Sequence, residues 1–361
     1  MTYNHFSMHA SSITDQSATI LGIESSCDET ALAIIKGNQN NTPLILAENM
    51  FSQIESHAPY GGVVPEIAAR AHAEKIPLLL NDIIVKANIN LSDIDAICAT
   101  SEPGLIGGVL VGLMVAKGLC VAHNKPLIAV NHLEGHALSP RITQNVEFPY
   151  LLLLASGGHC QILIVYGVGH YELLGTTIDD SAGEAFDKVA KMLGIGFPGG
   201  PAVEQYAQSG DPKAFKLPRP LTNIETPNFS FSGLKTAVLR VIEKHQEHNQ
   251  TINKHDLCAS FQAAISDCFI NRMKIAMTLF KQKTNLYHGR CVVAGGVAAN
   301  MFIRSKLEIL CQHQNFDFFA PPLKYCTDNG VMIAYAGLQR FLKGDRSPLD
   351  YKAKARSPLG V

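Results

Sequence analysis

No two of the nine cysteines form a Cys-x-x-Cys pair; they stand singly at 27, 98, 120, 160, 258, 268, 291, 311 and 326. That absence excludes a thiolate zinc ribbon and a disulfide framework, and it suits a reducing compartment. Lysine and arginine are missing until Lys36, and residues 1–19 are polar and carry Asp15. A signal peptide and an arginine-rich transit peptide both need that missing charge, so a cytoplasmic protein is expected, with Met8 as an alternative start. Long apolar runs are also lacking. The most apolar stretch, Gly104 to Ala116, stops at Lys117 and is rich in glycine. It predicts no membrane span but a buried helix, with Gly108 and Gly112 allowing close packing. The net charge is only −1, which gives no global field for nucleic acid, and no segment is simple enough for long disorder.

What is present is a folded chain: 361 residues, 47% hydrophobic and 17% charged, enough for two domains or two similar lobes. The stretch that organises the rest is Val130-Asn131-His132-Leu133-Glu134-Gly135-His136-Ala137. The apolar run Pro126 to Val130 reads as a buried strand, and Asn131 is a good cap for a following helix. His132 and His136, four apart, then share one helix face and can reach one ion. They can equally be hydrogen-bonded core residues. Glu134 lies about 200° round the helix from His132, away from that ion, unlike the Glu of the metalloprotease order His-Glu-x-x-His.

In chain order, strands are expected at 19–23, 31–35 and 43–50. Between the first two lies the polar turn Glu24-Ser25-Ser26-Cys27-Asp28-Glu29-Thr30, which suits phosphate and its metal or is an ordinary hairpin turn. A helix at 65–87, a strand at 94–100, a helix at 108–123 and the histidine segment complete a first lobe. The pattern restarts with strands at 150–155, 160–166 and 171–177, the first two joined by Ser156-Gly157-Gly158-His159. This repeat suggests an internally duplicated βββαβα unit with a cleft between its copies.

Downstream, Ser181 with Glu184 fits a capping box, which leaves Asp187 unexplained. Gly200 allows a ligand close to the backbone. A proline-rich loop, 213–227, leads into Phe229-Ser230-Phe231-Ser232-Gly233-Leu234-Lys235 and two long helices, about 233–246 and 255–283. A strand at 291–294 enters Gly295-Gly296-Val297-Ala298-Ala299-Asn300, where glycines seat a base or phosphate or only pack tightly, and Asn300 can bond a ribose or base edge. Thr327 or Asp328 caps the last helix, 331–342; Asp328 is also the best third ligand for the histidines. The last 22 residues hold Arg340, Lys343, Arg346, Lys352, Lys354 and Arg356 against Asp345 and Asp350. This basic segment either meets phosphates or is simply solvated. The expected division is a polar tail at 1–19, a first lobe at 20–145, a second lobe with helical insertions at 146–342 and a basic tail at 343–361.

In their order, Gly22 to Thr30, Gly61 to Glu66, Asn131 to His136, Ser156 to His159, residues 179–188, Phe229 to Lys235, Gly295 to Asn300 and Thr327 to Gly330 resemble the TsaD family, the tRNA threonylcarbamoyladenosine transferases once described as O-sialoglycoprotein endopeptidases. The resemblance covers about residues 20 to 342. It implies an α/β, two-lobed actin/hexokinase-like (ASKHA) fold with a nucleotide cleft between the lobes. It places metal ligands on His132, His136 and Asp328, and contacts to threonylcarbamoyl-AMP on Leu154, Ala155, Ser156, Gly157, Gly158, Asp187, Gly200 and Asn300. Fe(2+) is the preferred ion for two histidines and a carboxylate with open positions, with Zn(2+) as the other choice.

The implied reaction transfers threonylcarbamoyl from its adenylate to the N6 amine of the adenosine beside the anticodon, in tRNAs reading codons that begin with A. Glu24 and Asp28 are the candidates to take the amine proton or to organise the turn. Implied partners are tRNA, a TsaB-like pseudo-paralogue and a TsaE-like ATPase. Cys160 and Ser357 depart from the family pattern, which commonly has Thr and an aromatic there. The rival functions are a metallopeptidase, a small-molecule kinase of the same fold and a non-catalytic nucleotide switch.

Overall fold

The computed structural model describes residues 17–39 and 41–360. Met8 and most of the expected N-terminal tail lie outside them. Two five-stranded mixed sheets form the frame. The first contains β1 Ala18–Glu24, β2 Glu29–Gly37, β3 Leu44–Ser52, β4 Ala96–Glu102 and β5 Leu127–Asn131, in the order β3-β2-β1-β4-β5. The second contains β6 Tyr150–Ala155, β7 Cys160–Gly167, β8 His170–Thr176, β9 Gly289–Ala294 and β10 Phe316–Phe319, in the order β10-β9-β6-β7-β8. Strand for strand the two orders are the same, with an antiparallel meander on one side of the first strand and two parallel strands on the other. The duplication is therefore real at the level of topology, with one more strand per copy than the βββαβα reading supplies.

Helices α1 Ile54–His57, α2 Pro65–Ala87 and α3 Ile106–His123 belong to the first half, with α4 His132–Leu138 after β5. The second half carries α5 Ala182–Leu193, α6 Gly199–Ala207, α7 Ser232–Glu247, α8 Lys254–Thr284, α9 Met301–Gln314 and α10 Gly330–Leu342. Because β1, β4, β5 and β6 are largely apolar and buried over their whole length, both faces of each sheet are covered. Side chains of α2 and α3 cover the outer face of the first sheet, and those of α5 to α9 cover the outer face of the second. Between the sheets lie α10, packed on the first, and α4, packed on the second. The close seat of α10 depends on Gly22, where an added Cβ would stand 2.5 Å from the Ala334 nitrogen.

Helix α3 is not buried all round. Gly108, Val109, Gly112, Leu113, Ala116 and Cys120 face the protein, whereas Ile106, Leu110, Met114 and Val121 form an exposed apolar row. Its length and composition would suit a membrane span, but its inner face packs on the first sheet, and the close packing expected at Gly108 and Gly112 places both against Ser25.

The basic C-terminal segment is not a solvated tail. Ser347 donates its N–H to the Leu127 carbonyl at 2.8 Å, Lys354 donates its N–H to the Ser101 carbonyl at 3.0 Å, and Leu359 is buried in the core of the second sheet. Residues 343–360 thus run as a strap from the first lobe to the second. In the proline-rich loop, buried Arg272 of α8 donates to the carbonyls of Leu221, Ile224 and Thr226 and so fixes a segment without regular structure.

Candidate metal centre

Asn131 caps α4 as its residue type predicts, accepting the Leu133 N–H at 2.9 Å. That start fixes the helix phase and turns His132 and His136 to the same side, their rings 4.7 Å apart and nearly perpendicular. Asp328 arrives from the loop before α10. Its Oδ1 stands 3.0 Å from His136 Nε2 and 3.4 Å from His132 Nε2. The capping role considered for Thr327 or Asp328 belongs instead to Asn329, which accepts the Met332 N–H at 2.9 Å and leaves the Asp328 carboxylate free.

The chemistry of this trio fits a divalent metal ion. One ligand atom from each of the three residues lies within 4.8 Å of the others. His132 Nδ1 donates to Glu24 Oε2 at 3.0 Å, which orients the ring and turns Nε2 toward Asp328. Nδ1 of His136 is buried and has no partner among the described residues, so of its two nitrogens only Nε2 is engaged, by Asp328. The surroundings are also strongly anionic. Burial pushes the Glu29 carboxyl well up, with Asp328 and Asp28 adding to it, and Cys27 rises through burial and then Asp28 and Asp328. Burial opposes charge on His132, but Asp328 and Glu24 outweigh it and raise its pKa well above the usual imidazole value. Burial would raise Asp328, yet His132 and His136 hold it far below the carboxylate range. A bound cation answers the same anionic demand that otherwise has to be met by a proton on an imidazole.

The two acid candidates separate clearly. Glu24 is wholly buried: Oε1 accepts the Ser26 N–H at 2.6 Å, and Oε2 accepts Thr100 Oγ1 at 2.5 Å as well as His132. Held by these three donors, it orients His132. Asp28 is part exposed on the turn and close enough to the second lobe for its charge to raise Asp187. Glu134 faces away from the ligands, where it accepts from Arg340 Nε and Tyr171 OH, both at 2.5 Å, and from the Gly169 N–H at 3.2 Å. It has no route to a metal-bound water, and the peptidase reading fails there.

From the second lobe, the glycine turn faces the same cleft. Ser156 N–H donates to the His159 carbonyl at 2.8 Å, and added Cβ atoms on Gly157 or Gly158 would meet nothing within 4 Å. Leu154 and Ala155 are buried in β6, where Leu154 pairs with Gln161 and Ala294 and Ala155 pairs with Cys160, so they support the turn from beneath. Ser181 caps α5, accepting the Glu184 N–H at 3.2 Å, and donates to the Gly157 carbonyl at 2.5 Å, tying helix to turn. Glu184 does not close the capping box; it pairs with Lys188 at 2.6 Å. Asp187 accepts the Gly199 N–H at 2.7 Å, at the start of α6, and burial holds its pKa up. Gly200, on the same turn of α6, leaves open space beside its Cα.

Asn300 caps α9, accepting the Ile303 N–H at 3.0 Å, and donates Nδ2 to Gln262 Oε1 at 2.8 Å. Both ends of its amide are therefore engaged within the protein. Beside it lies a cavity of about 380 Å³ whose lining includes Glu204, Gln262, Met301 and Phe302. Sequence reasoning passed over Glu204 and Gln262. Glu204 follows Gly200 by one helical turn, a signal that could have been read. His159 stands near both His132 and His136, and burial and then those rings lower its pKa to about 4.

Residues 44–335 match the family model described as TsaD, tRNA N6-adenosine threonylcarbamoyltransferase. Curated relatives of that name include one from Rhodospirillum rubrum, 53% identical over 345 residues, covering 94% of each chain. Another, from Novosphingobium aromaticivorans, is 54% identical over 345 residues, covering 95% of this chain and 96% of its own. Among solved structures, T. kodakarensis HypF superimposes on 92% of this chain and 48% of its own with a TM-score of 0.59, at 15% identity, which shows the two-lobed fold alone.

Proposed function

Because the chain belongs to the TsaD family of tRNA N6-adenosine threonylcarbamoyltransferases, we propose that His132, His136 and Asp328 hold one divalent ion for that reaction, Fe(2+) in first place and Zn(2+) as the other choice. The observation that carries this is the convergence of two Nε2 atoms on one Asp328 oxygen, in the layer between the sheets. The reaction itself transfers the threonylcarbamoyl group from threonylcarbamoyl-AMP to the N6 amine of the adenosine 3′ of the anticodon, in tRNAs reading codons that begin with A.

In this transfer the N6 nitrogen bonds to the carbamoyl carbon, the bond from that carbon to the phosphate oxygen breaks, and AMP leaves with the electron pair. When bound, the ion supplies Lewis acidity toward phosphate or carbamoyl oxygen. The glycine turn that follows Leu154, Ala155 and Ser156 offers the N–H groups of Gly157 and Gly158 to the phosphate, while Asp187 and Gly200 border the ribose. The cavity beside Asn300, with Glu204 and Gln262 on its wall, accommodates the adenosine. Holding the adenylate from the second lobe, against ligands placed between the sheets, supplies much of the rate by orientation.

One amine proton must leave, and Asp28 takes it, since Glu24 is wholly buried and held by three donors whereas Asp28 is part exposed on the turn. Asp28→Asn is expected to slow single-turnover transfer by about a hundredfold while metal content and adenylate affinity stay unchanged. Transfer at the wild-type rate in Asp28→Asn would remove that assignment.

The exposed row Ile106, Leu110, Met114 and Val121 on α3 is where a TsaB-like partner docks, with a TsaE-like ATPase joining the assembly and all of it working in the cytoplasm with its tRNA. Met114→Asp is expected to abolish co-elution with the TsaB-like protein without releasing metal. Undiminished co-elution would place the partner elsewhere.

A further inference from the structure

A polyanionic substrate poses a problem for a chain of net charge −1, because its phosphates need local cations that the average composition does not supply. The acceptor adenosine belongs to a nucleotide chain. To bring N6 to the metal centre the base must leave its stack, and it brings its own phosphate and those of its neighbours to the rim of the cleft. What lies on that rim is the C-terminal strap.

The strap crosses the carboxyl ends of β4 and β5, the same edge at which β1 ends in Glu24 and β5 leads into His132. Gly104 donates its N–H to the Ala355 carbonyl at 3.3 Å, and Asn131 donates Nδ2 to the Ser357 carbonyl at 3.3 Å. Arg356 is held between these two bonds, and the second comes from the residue next to His132. Further back, Lys117 of α3 donates to the Tyr351 carbonyl at 2.6 Å and fixes the chain beside Lys352.

The strap's cations then divide by what they already hold. Lys343 donates to the Val168 carbonyl at 2.7 Å, Arg346 lies 3.9 Å from the Phe341 ring centroid, and Lys354 pairs with Glu102 at 2.7 Å. Lys352 and Arg356 are exposed and make no ion pair or hydrogen bond among the described residues. They are two uncompensated cations on anchored backbone, Arg356 at the edge where the acceptor must enter and Lys352 four residues back along the strap, beyond the Lys354 bond to Ser101. A merely solubilising segment has no need of anchors in both lobes.

We propose that Lys352 and Arg356 form a phosphate-binding rim for the tRNA acceptor, contacting the backbone of the anticodon loop and carrying no base specificity. The inference rests on the transferase reading above, since it takes tRNA as the substrate. An acidic protein docking on the same rim is the competing occupant. The strap offers such a partner only two cations and no apolar surface between them.

The test is binding of an unmodified tRNA transcript to the full chain, by fluorescence anisotropy between 50 and 200 mM salt. Wild type, Lys352→Ala/Arg356→Ala and Lys352→Arg/Arg356→Lys are compared, with metal content, affinity for the adenylate and single-turnover transfer measured alongside. The alanine pair is expected to weaken tRNA binding about tenfold to a hundredfold at low salt. It is also expected to lower the slope of log affinity against log salt by about 2, one per cation removed. Metal and adenylate binding stay at wild-type values, and the charge-conserving pair keeps the wild-type slope. Unchanged tRNA affinity and slope in the alanine pair, with wild type active in transfer, would overturn the rim. Loss of a protein partner with tRNA binding intact would do the same. Absence of transfer in wild type, with metal and partners supplied, would instead count against the transferase reading.

Discussion

His136→Ala is expected to lose bound metal and threonylcarbamoyl transfer together. His136 is fully buried, and its Nε2 has Asp328 as its one partner at 3.0 Å. In the proposed centre truncation removes one of three ligands, leaving one imidazole and one carboxylate. Lewis-acid stabilisation is worth several kcal/mol, so its loss slows transfer by about a thousandfold or more. Asp328→Ala should match it, because that carboxylate faces both rings. Metal content by mass spectrometry and single-turnover transfer, on variants whose circular dichroism matches wild type, give the result directly. Retained metal in both variants would remove the ligand assignment.

Glu24→Gln should weaken metal binding by about tenfold to a hundredfold yet be rescued by excess metal. The carboxylate meets three donors, the Ser26 N–H, Thr100 Oγ1 and His132 Nδ1. A glutamine offers one oxygen and turns an NH₂ toward at least one of those donors, so the His132 ring loses the bond that orients it. Metal titration reads the weakened affinity, and transfer at saturating metal should return to within about threefold of wild type if Glu24 only positions the ring. A deficit that persists at saturation would mean that Glu24 takes part in the chemical step.

Much of this site was legible because it is written in local patterns. The Pro126 to Val130 run, the Asn131 cap and the i, i+4 histidines define a strand, a turn and a helix face within eleven residues, and the fold keeps all three. The duplicated strand order was visible for the same reason, as repeated apolar runs with polar turns. What escaped is what depends on distant partners. The edge strand Phe316–Phe319 is four residues long and interrupted by Asp317, too short for a periodicity to declare itself. Glu24 looks like a catalytic acid until Thr100 and His132, from two other elements, are seen to enclose it. The basic tail reads as solvated because Leu127, Ser101 and Asn131, which anchor it, lie over two hundred positions away. Similarly, α3 looked buried on composition, and only the sheet beneath it shows that half of its apolar surface is left outside.

The most direct measurement is single-turnover transfer from threonylcarbamoyl-AMP, labelled in the carbamoyl carbon, to an unmodified tRNA transcript, with partner proteins present and metal removed and restored. The account predicts label on the N6 amine of the adenosine 3′ of the anticodon, abolished by the chelator and regained with added metal, in wild type but not in His136→Ala. Label passed equally well by chelated enzyme would contradict the metal centre. No label under any condition would contradict the transferase.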